Sequence, residues 1–243
     1  MKTITKTIIW ITIFSIAMGF LETAVVVYIR ALYYPAGFAF PMVIIDKNIM
    51  VTELFREAAT IIMLVVAGII AGRKPLEKFA FFIYSFAIWD IFYYVFLKMI
   101  LNWPESFMTW DVLFFIPITW IGPVLAPIIN SVTMIILALL IIYFTENKEN
   151  PKLNFSEWSL LIIGSLVVIV SFTYEYAIFM MGTFSFGQIL DAFNNPEVLK
   201  YATKFIPSNF KWLVFSTGVG MHLISISLFY FRQIKLKSAN KSF

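Results

Sequence analysis

Six long apolar runs dominate the pattern of hydrophobic and polar positions along the chain. A helix that crosses the hydrocarbon core of a bilayer needs about 20 such residues. The pattern therefore predicts an all-α polytopic bundle of about six transmembrane helices, which together form a single integral membrane domain over residues 1–243. The predicted spans are 8–29, 52–72, 79–101, 118–144, 159–181 and 212–231.

The first run also resembles a signal peptide, because Lys2 and Lys6 precede it. It continues past Glu22 to about Ile29, however, and no convincing small-residue cleavage site follows it. We therefore expect this run to be retained as the first transmembrane helix.

The fourth run and the residues before it are too long to form one straight helix. Residues 111–144 would extend about 50 Å at a rise of about 1.5 Å per residue, whereas the hydrocarbon core is about 30 Å thick. The sequence predicts a proline-broken, re-entrant or interfacial segment at about 111–120, before span four. Such a segment is tolerated only inside protein or beside a wet cavity, so we expect a site next to it. Three prolines supply the break: Pro117, Pro123 and Pro127.

A second structured connection is predicted between spans five and six, in "FGQILDAFNNPEVLKYATKF". Asn195 is a good N-cap, Pro196 suits the first helical position, and Glu197 places a negative charge near the positive end of the helix dipole. We expect a short helix there, lying over the outer face.

The composition agrees with a membrane location, since the chain is 61% hydrophobic and only 13% charged. The net charge of +4 comes from Lys and Arg beside the apolar spans, so it indicates membrane orientation and argues against nucleic-acid binding. Eleven of these residues fall on one side, six on the other, and Arg56 lies inside span two. The richer side is expected to be cytoplasmic, which places both termini there. Its members are Lys2, Lys6, Arg73, Lys74, Lys78, Lys148, Lys152, Arg232, Lys235, Lys237 and Lys241.

The absence of cysteine and the single histidine limit the chemistry that the chain can support. Zero Cys excludes disulfides, thiolate metal sites, iron–sulfur clusters and cysteine nucleophiles. One histidine, His222, excludes multi-histidine metal centres and bis-histidine haem. Retinal binding has little support because no Lys lies inside the last span, and the scattered Met residues argue against copper handling. No cofactor and no metal site are predicted.

The stretch "AIWDIFYYVF" places the carboxylate of Asp90 inside span three, where a charge costs about 3 kcal/mol. Counting about 1.5 Å per residue places several ionisable side chains between the midplane and the outer third of the bilayer. The sequence thus predicts a buried acidic and ionic cluster made of Glu22, Arg56, Glu57, Asp90, Glu175 and His222. A second tier of candidates comprises Glu53, Asp111, Tyr93, Tyr94 and Tyr174.

Several of these residues also have a purely structural interpretation. Glu53 is expected to be an exposed charge in the first turn of span two, and Asp111 to cap the broken helix. Arg56 can belong to a structural ion pair, and His222 can be a hydrogen-bonded interior histidine. The tyrosines can be interfacial or packing groups.

Three acids are harder to explain by structure alone: Glu22, Asp90 and Glu175. They outnumber Arg56, which is the one arginine expected near them. We therefore expect at least one carboxyl to be protonated at neutral pH, because burial and nearby like charges disfavour the ionised form. An acid in that state can carry protons, bind cations or act as a general acid or base.

Four motifs resemble a group of prokaryotic integral membrane proteins that has no established activity. They are "GFLETAVVVYIRALYYPAGFAFP", "ELFREAAT", "WDIFYY" and "TWDVLFFIPITWIGPVLAP", and they cover about half of the chain, from Gly19 to Pro127. The resemblance implies a protein of the prokaryotic cytoplasmic (plasma) membrane and adds no mechanism. Its motifs contain Glu22, Arg30, Glu53, Arg56, Glu57, Asp90 and Asp111, whereas Glu175 and His222 lie outside them.

Three functions are compatible with these observations. The first is a small proton- or cation-coupled carrier, favoured by a carboxylate cluster beside a proline-broken segment. The second is an intramembrane enzyme acting on a lipid or other apolar substrate, with the acids and His222 as acid, base or ligands of a divalent metal. The third is a non-catalytic subunit of a membrane complex. The expected partners are the lipid bilayer and either a second copy of the chain or other subunits of such a complex.

Overall fold

The computed structural model describes residues 3–116, 118–147 and 151–239. Lys2, Pro117, Lys148 and Lys241, which were used above, lie outside these ranges. The described residues form six long helices, two short strands, two short helices and one 3-10 turn. In chain order the elements are α1 (Thr3–Tyr33), α2 (Lys47–Ala71), α3 (Pro75–Leu101), β1 (Trp110–Phe114), β2 (Trp120–Pro123), α4 (Leu125–Asn147), α5 (Phe155–Met181), α6 (Phe186–Leu190), a 3-10 turn (Ala192–Asn194), α7 (Pro196–Ala202) and α8 (Trp212–Ala239).

The prediction of an all-α bundle with six apolar helices is confirmed. Six helices among the described residues are long and apolar enough to cross a membrane. Most begin several residues before the predicted boundary, since polar residues continue the helix beyond its apolar part. In α2, for example, the side chain of Asp46 accepts hydrogen bonds from the backbone N–H groups of Asn48 (2.9 Å) and Ile49 (3.3 Å) and so fixes the start.

The break before the fourth long helix is also confirmed, and its form is a β-hairpin. β1 and β2 pair antiparallel, with Asp111 opposite Gly122 and Phe114 opposite Trp120. The predicted start of span four at residue 118 is wrong, because α4 begins only at Leu125. Hydropathy could not reveal this, because a strand and a helix of similar apolar composition have the same hydropathy. The hairpin is stable because pairing of its strands satisfies backbone N–H and C=O groups that the helix break leaves free.

The expected short helix between the last two spans is present as α7. The side chain of Asn195 accepts hydrogen bonds from the N–H groups of Glu197 (3.1 Å) and Val198 (3.4 Å), and Pro196 occupies the first helical position. Val198 and Ala202 are buried against Ile121 of the hairpin and neighbouring side chains. The capping pattern in the sequence therefore located this helix correctly.

The long helices form two groups. α3 lies at the centre of the first group and packs against α1, α2 and α4, while α5 and α8 pack against each other as a second group. Glycines allow the closest approaches: a Cβ atom at Gly19 would lie 2.9 Å from the carbonyl oxygen of Trp89, and one at Gly218 would lie 2.7 Å from that of Gly164. Contacts of α4 with α8, and of β2 with α5, join the two groups.

A buried ion pair also links α5 to α8, at the end of the pair away from the hairpin. The carboxylate of Glu157 is fully buried and accepts hydrogen bonds from Arg232 Nε (2.8 Å) and Nη2 (2.7 Å). It also accepts one from the backbone N–H of Asn154 (2.8 Å), which closes the first turn of α5. The same residue thus caps one helix and fixes its neighbour.

The three longer connections meet at one end of the bundle, here called the loop-rich end: residues 34–46, 102–124 and 182–211. Phe40 and Met42 of the first connection pack against a buried cluster that includes Ile121 and Val198 of the other two. Lys47 Nζ also donates to Asn194 Oδ1 at 3.0 Å. The connections therefore form a packed layer and do not extend separately into solvent.

Candidate functional site

A cavity of about 650 Å³ lies between the two helix groups, beneath the loop-rich end. Its wall comes from α1 to α5, from α8, from the hairpin and from the connections at the loop-rich end. Most of the wall is apolar, and the polar groups on it are few and come from different helices. The size falls within the range of about 300–1,000 Å³ that is usual for sites of small organic molecules.

The first polar group of the wall is centred on Arg56 of α2. Its guanidinium pairs with Glu53, where Nε lies 2.9 Å from Oε2, and with Glu22 of α1. The three side chains are no more than one-fifth exposed. Arg56 therefore joins α1 to α2 and compensates the charges of two acids that line the cavity.

A second pair, Arg30 with Asp111, lies where α1 meets the hairpin. Arg30 Nη2 donates to Asp111 Oδ1 at 3.2 Å, and the Tyr94 hydroxyl donates to Oδ2 at 3.2 Å. The guanidinium carbon lies 3.8 Å from the ring centre of Trp103 and 4.6 Å from that of Phe38, so two cation–π contacts hold it as well. Burial raises the pKa of the Asp111 carboxyl to about 6, while the nearby Arg30 acts in the opposite direction.

Two acids of the cavity wall have no cationic partner within the described residues: Asp90 and Glu57. Asp90 Oδ2 accepts a hydrogen bond of 2.7 Å from Ser131 Oγ of α4. Glu57 Oε2 accepts one of 3.2 Å from the backbone N–H of Phe115, next to the hairpin tip. A carboxylate held by one neutral donor keeps most of its desolvation cost, so either group can exchange a proton or pair with an external cation.

His222 lines the same cavity from α8, and its contacts are with α5. Nε2 lies 3.2 Å from the carbonyl oxygen of Leu161 and 3.2 Å from Ser165 Oγ. Because a carbonyl oxygen only accepts hydrogen bonds, Nε2 carries the proton in this arrangement. The side chain is also close to Gly164, where an added Cβ would lie 2.7 Å from the imidazole Cδ2.

The structure does not bring Glu175 into the predicted cluster. Glu175 is absent from the cavity wall, and its Oε1 accepts hydrogen bonds from Ser208 Oγ (2.7 Å) and from the backbone N–H groups of Ser208 (3.0 Å) and Asn209 (3.2 Å). It ties α5 to the connection that precedes α8. Tyr174 is also outside the cavity wall and is about half exposed, with Lys211 Nζ 5.5 Å from its ring centre. Tyr93 and Tyr94 do line the cavity.

Two structural expectations for single residues are wrong. Glu53 is not an exposed charge in the first turn of its helix, because α2 begins at Lys47 and the Glu53 side chain is only 12% exposed. Asp111 does not cap a broken helix, because it lies in the middle of a strand. In both cases the acid instead pairs with an arginine that lines the cavity.

The polar residues of the cavity wall that the sequence did not single out as part of the site include Arg30, Asn130 and Ser131. Arg30 comes directly after the predicted end of the first span at residue 29, although it lies within one of the motifs quoted above. Asn130 and Ser131 interrupt the apolar sequence of α4, and this interruption was the signal available for them.

One wall of the cavity carries a continuous row of aromatic rings, here called the aromatic row: Phe86, Trp89, Phe114, Trp120 and Phe172. Neighbouring ring centres in this row are 5.1 to 6.4 Å apart. The row runs from α3 across the hairpin to α5, so the rings connect the two helix groups. Its first tryptophan is adjacent in sequence to Asp90, the unpaired acid of α3.

Comparisons with known proteins give no indication of function. No protein-family model, curated protein or solved structure matches the chain. Within residues 3–116, 118–147 and 151–239, no three His, Asp or Glu side chains are grouped so as to hold a metal ion. The cavity, its unpaired acids and its aromatic row are therefore the features from which a function is inferred.

Proposed function

We propose that this protein is a small proton- or cation-coupled carrier of the prokaryotic cytoplasmic membrane. The observation that carries the proposal is a cavity between two helix groups whose wall includes two acids, Asp90 and Glu57, without a cationic partner in the described residues. Intramembrane acids of this kind are typical of proton relays and of ion-coupled transport. The apolar wall around them supplies the space for a small molecule.

The proposed orientation places the loop-rich end outside the cell and both termini in the cytoplasm. Lys and Arg are in excess on the side of the termini, which is the asymmetry that sets orientation in bacterial membranes. Reporter fusions after residue 239 and within 182–211 should therefore report opposite sides, with the first cytoplasmic. Two fusions that report the same compartment would contradict six spans.

Alternating access distinguishes a carrier from the other two functions, and the chain is well suited to a test. It contains no cysteine, so a single introduced thiol is unique. Met134 of α4 lies in the cavity wall and is half-buried. In a carrier, Met134→Cys should react with a membrane-impermeant maleimide in right-side-out and in inside-out vesicles. Reaction from one side only would favour an enzyme with a fixed opening, and reaction from neither side would favour a packing subunit.

Two further single-cysteine variants calibrate this measurement. Gly187 is exposed at the loop-rich end, and an added Cβ there meets nothing within 4 Å. Lys152 is exposed at the opposite end. Gly187→Cys should react only from outside and Lys152→Cys only from the cytoplasmic side. Labelling of either control from both sides would mean that the vesicles are mixed or leaky.

An intramembrane enzyme is the second candidate, and the contact between His222 and Ser165 is what favours it. A serine hydroxyl beside a histidine inside an apolar cavity could serve as nucleophile and base. The geometry argues against that role, because Nε2 donates its proton to the Leu161 carbonyl and so has no lone pair for the hydroxyl. The carrier therefore remains the function that the site supports best.

A further inference from the structure

The charges on the cavity wall do not balance. Within the described residues, five carboxyls line the cavity against two guanidiniums. Both guanidiniums are already engaged, Arg56 by Glu22 and Glu53, and Arg30 by Asp111. The acids that remain, Asp90 and Glu57, accept hydrogen bonds only from neutral donors. A ligand that enters this space therefore meets uncompensated negative charge.

A buried hydrogen-bond acceptor without a donor lies next to one of these acids. Asn130 of α4 directs its Nδ2 to the sulfur of Met134 at 3.6 Å, and its Oδ1 has no hydrogen-bond partner among the described residues. The next residue, Ser131, donates to Asp90. An acceptor buried without a partner loses free energy unless a bound group supplies the missing donor. The amide oxygen of Asn130 and the carboxylate of Asp90 thus both present negative charge, partial or full, to a group bound beside them.

The aromatic row offers the complementary surface for the rest of such a ligand. Phe86 and Trp89 are in contact at 5.1 Å between ring centres, and Phe114 continues the row onto the hairpin. The face of an aromatic ring attracts a cation, and more strongly where water is excluded. The same rings pack well against flat or branched apolar groups. Asp90 and the aromatic row therefore favour one class of molecule.

We infer that the cavity binds a lipophilic organic cation, with the positive group near Asp90 and Asn130 and the apolar body along the aromatic row. This inference rests on the proposed carrier function and names the class of molecule that such a carrier takes. A singly charged cation bound there compensates the Asp90 carboxylate, and a proton on the same carboxyl would do so in its place. Cation and proton therefore compete for Asp90.

An organic anion is the alternative that the structure disfavours. Two buried donors of the cavity wall, Arg30 Nη1 and Trp89 Nε1, have no hydrogen-bond partner in the described part of the chain. The Arg30 guanidinium is held by Asp111 and covered by Phe38 and Trp103, and the Trp89 indole is a neutral donor next to Asp90 in sequence. Releasing the guanidinium for an anion would leave Asp111 buried without its arginine. An anion would also approach Asp90 and Glu57, which repel it.

Two ions of the same shape and opposite charge test the inference: tetraphenylphosphonium and tetraphenylborate. The full-length protein is placed in lipid nanodiscs, binding of each ion is measured by equilibrium dialysis, and partitioning into empty nanodiscs is subtracted. The phosphonium should bind saturably and the borate should not. Asp90→Asn should weaken phosphonium binding by about tenfold or more, because it removes a charged partner. Glu175→Gln, the same chemical change outside the cavity wall, should leave binding unchanged.

Several outcomes would overturn the inference. These are borate binding as tight as phosphonium binding, absence of saturable phosphonium binding, and an Asp90→Asn protein that binds phosphonium like the parent. Should Asp90→Asn fail to fold, Asn130→Ala provides the second variant, and it should weaken phosphonium binding by a few-fold because the partial negative charge of the amide oxygen is lost beside the cation. An Asn130→Ala protein with unchanged affinity would then reject the assigned position of the positive group.

The binding experiment and the carrier test fail independently. Selective phosphonium binding together with one-sided labelling of Met134→Cys would retain the cation site and reject the carrier. Two-sided labelling without cation selectivity would retain the carrier and reject the cation as its ligand. Competition by protons gives a further readout, since phosphonium affinity should fall as the pH is lowered if both occupy Asp90.

Discussion

Asp90→Asn should leave the protein folded and abolish its activity in the cell. The amide keeps the shape of the side chain, and its oxygen can still accept the hydrogen bond that Ser131 donates at 2.7 Å. We therefore expect the stability to change by no more than about 1 kcal/mol, the usual size of one hydrogen bond. The amide cannot take up or release a proton and cannot compensate a cation, so every function that needs the acid is lost.

The measurement pairs the melting temperature of the purified protein with complementation of a deletion strain. Glu175→Gln is the matched control, because it exchanges a carboxylate for an amide in a residue that binds Ser208 and Asn209 at the loop-rich end. The control should complement fully. Full complementation by Asp90→Asn would end the hypothesis that this acid is functional. A variant that loses stability yet retains activity would make Asp90 a packing residue.

Arg56→Leu should destabilise the protein by about 3 kcal/mol, at the lower end of the range for breaking a buried ion pair. The lower end applies because the guanidinium is about one-fifth exposed. Its removal leaves Glu22 and Glu53 close together with no cation between them, and Glu57 is on the same helix. The loss should become smaller at acidic pH, where protons neutralise the unpaired carboxyls.

Thermal unfolding in detergent, at neutral and at acidic pH, measures this loss. Arg73→Leu is the control, since Arg73 is exposed in the short connection before α3 and makes no ion pair within the described residues. Arg73→Leu should melt close to the parent temperature. An Arg56→Leu protein that melts with the parent would show that solvent or lipid headgroups, and not the two glutamates, compensate the guanidinium.

Hydropathy predicted the six long helices because each must bury its own backbone hydrogen bonds in an apolar setting. Hydropathy could not show that the break before α4 is a β-hairpin, since Ile121 and Val124 are as apolar as residues of a transmembrane helix. Only pairing with Trp110–Phe114 makes residues 120–123 a strand. The helix at Pro196 was predictable because its N-cap and proline act locally.

The sequence predicted how deep each site residue lies along its helix. It did not predict which neighbouring element its side chain faces. Depth along each span placed Glu22 and Arg56 at comparable levels, and they are paired in the structure. The same argument placed Glu175 beside them, although a connection 33 residues further along the chain supplies its hydrogen-bond partners. Arg30 and Asp111 are 81 residues apart, so no local pattern could indicate that they meet. Long-range pairing of this kind is decided by packing.

The division into two helix groups has a mechanical consequence. α5 and α8 are joined by the glycine crossing at Gly164 and Gly218 and by the Glu157–Arg232 pair, while fewer contacts join them to α1 to α4. Contacts of this kind would keep α5 and α8 together if the two helix groups shifted relative to each other. In a carrier with this architecture, rocking of α5 and α8 against the other four helices would open the cavity at one end while closing it at the other.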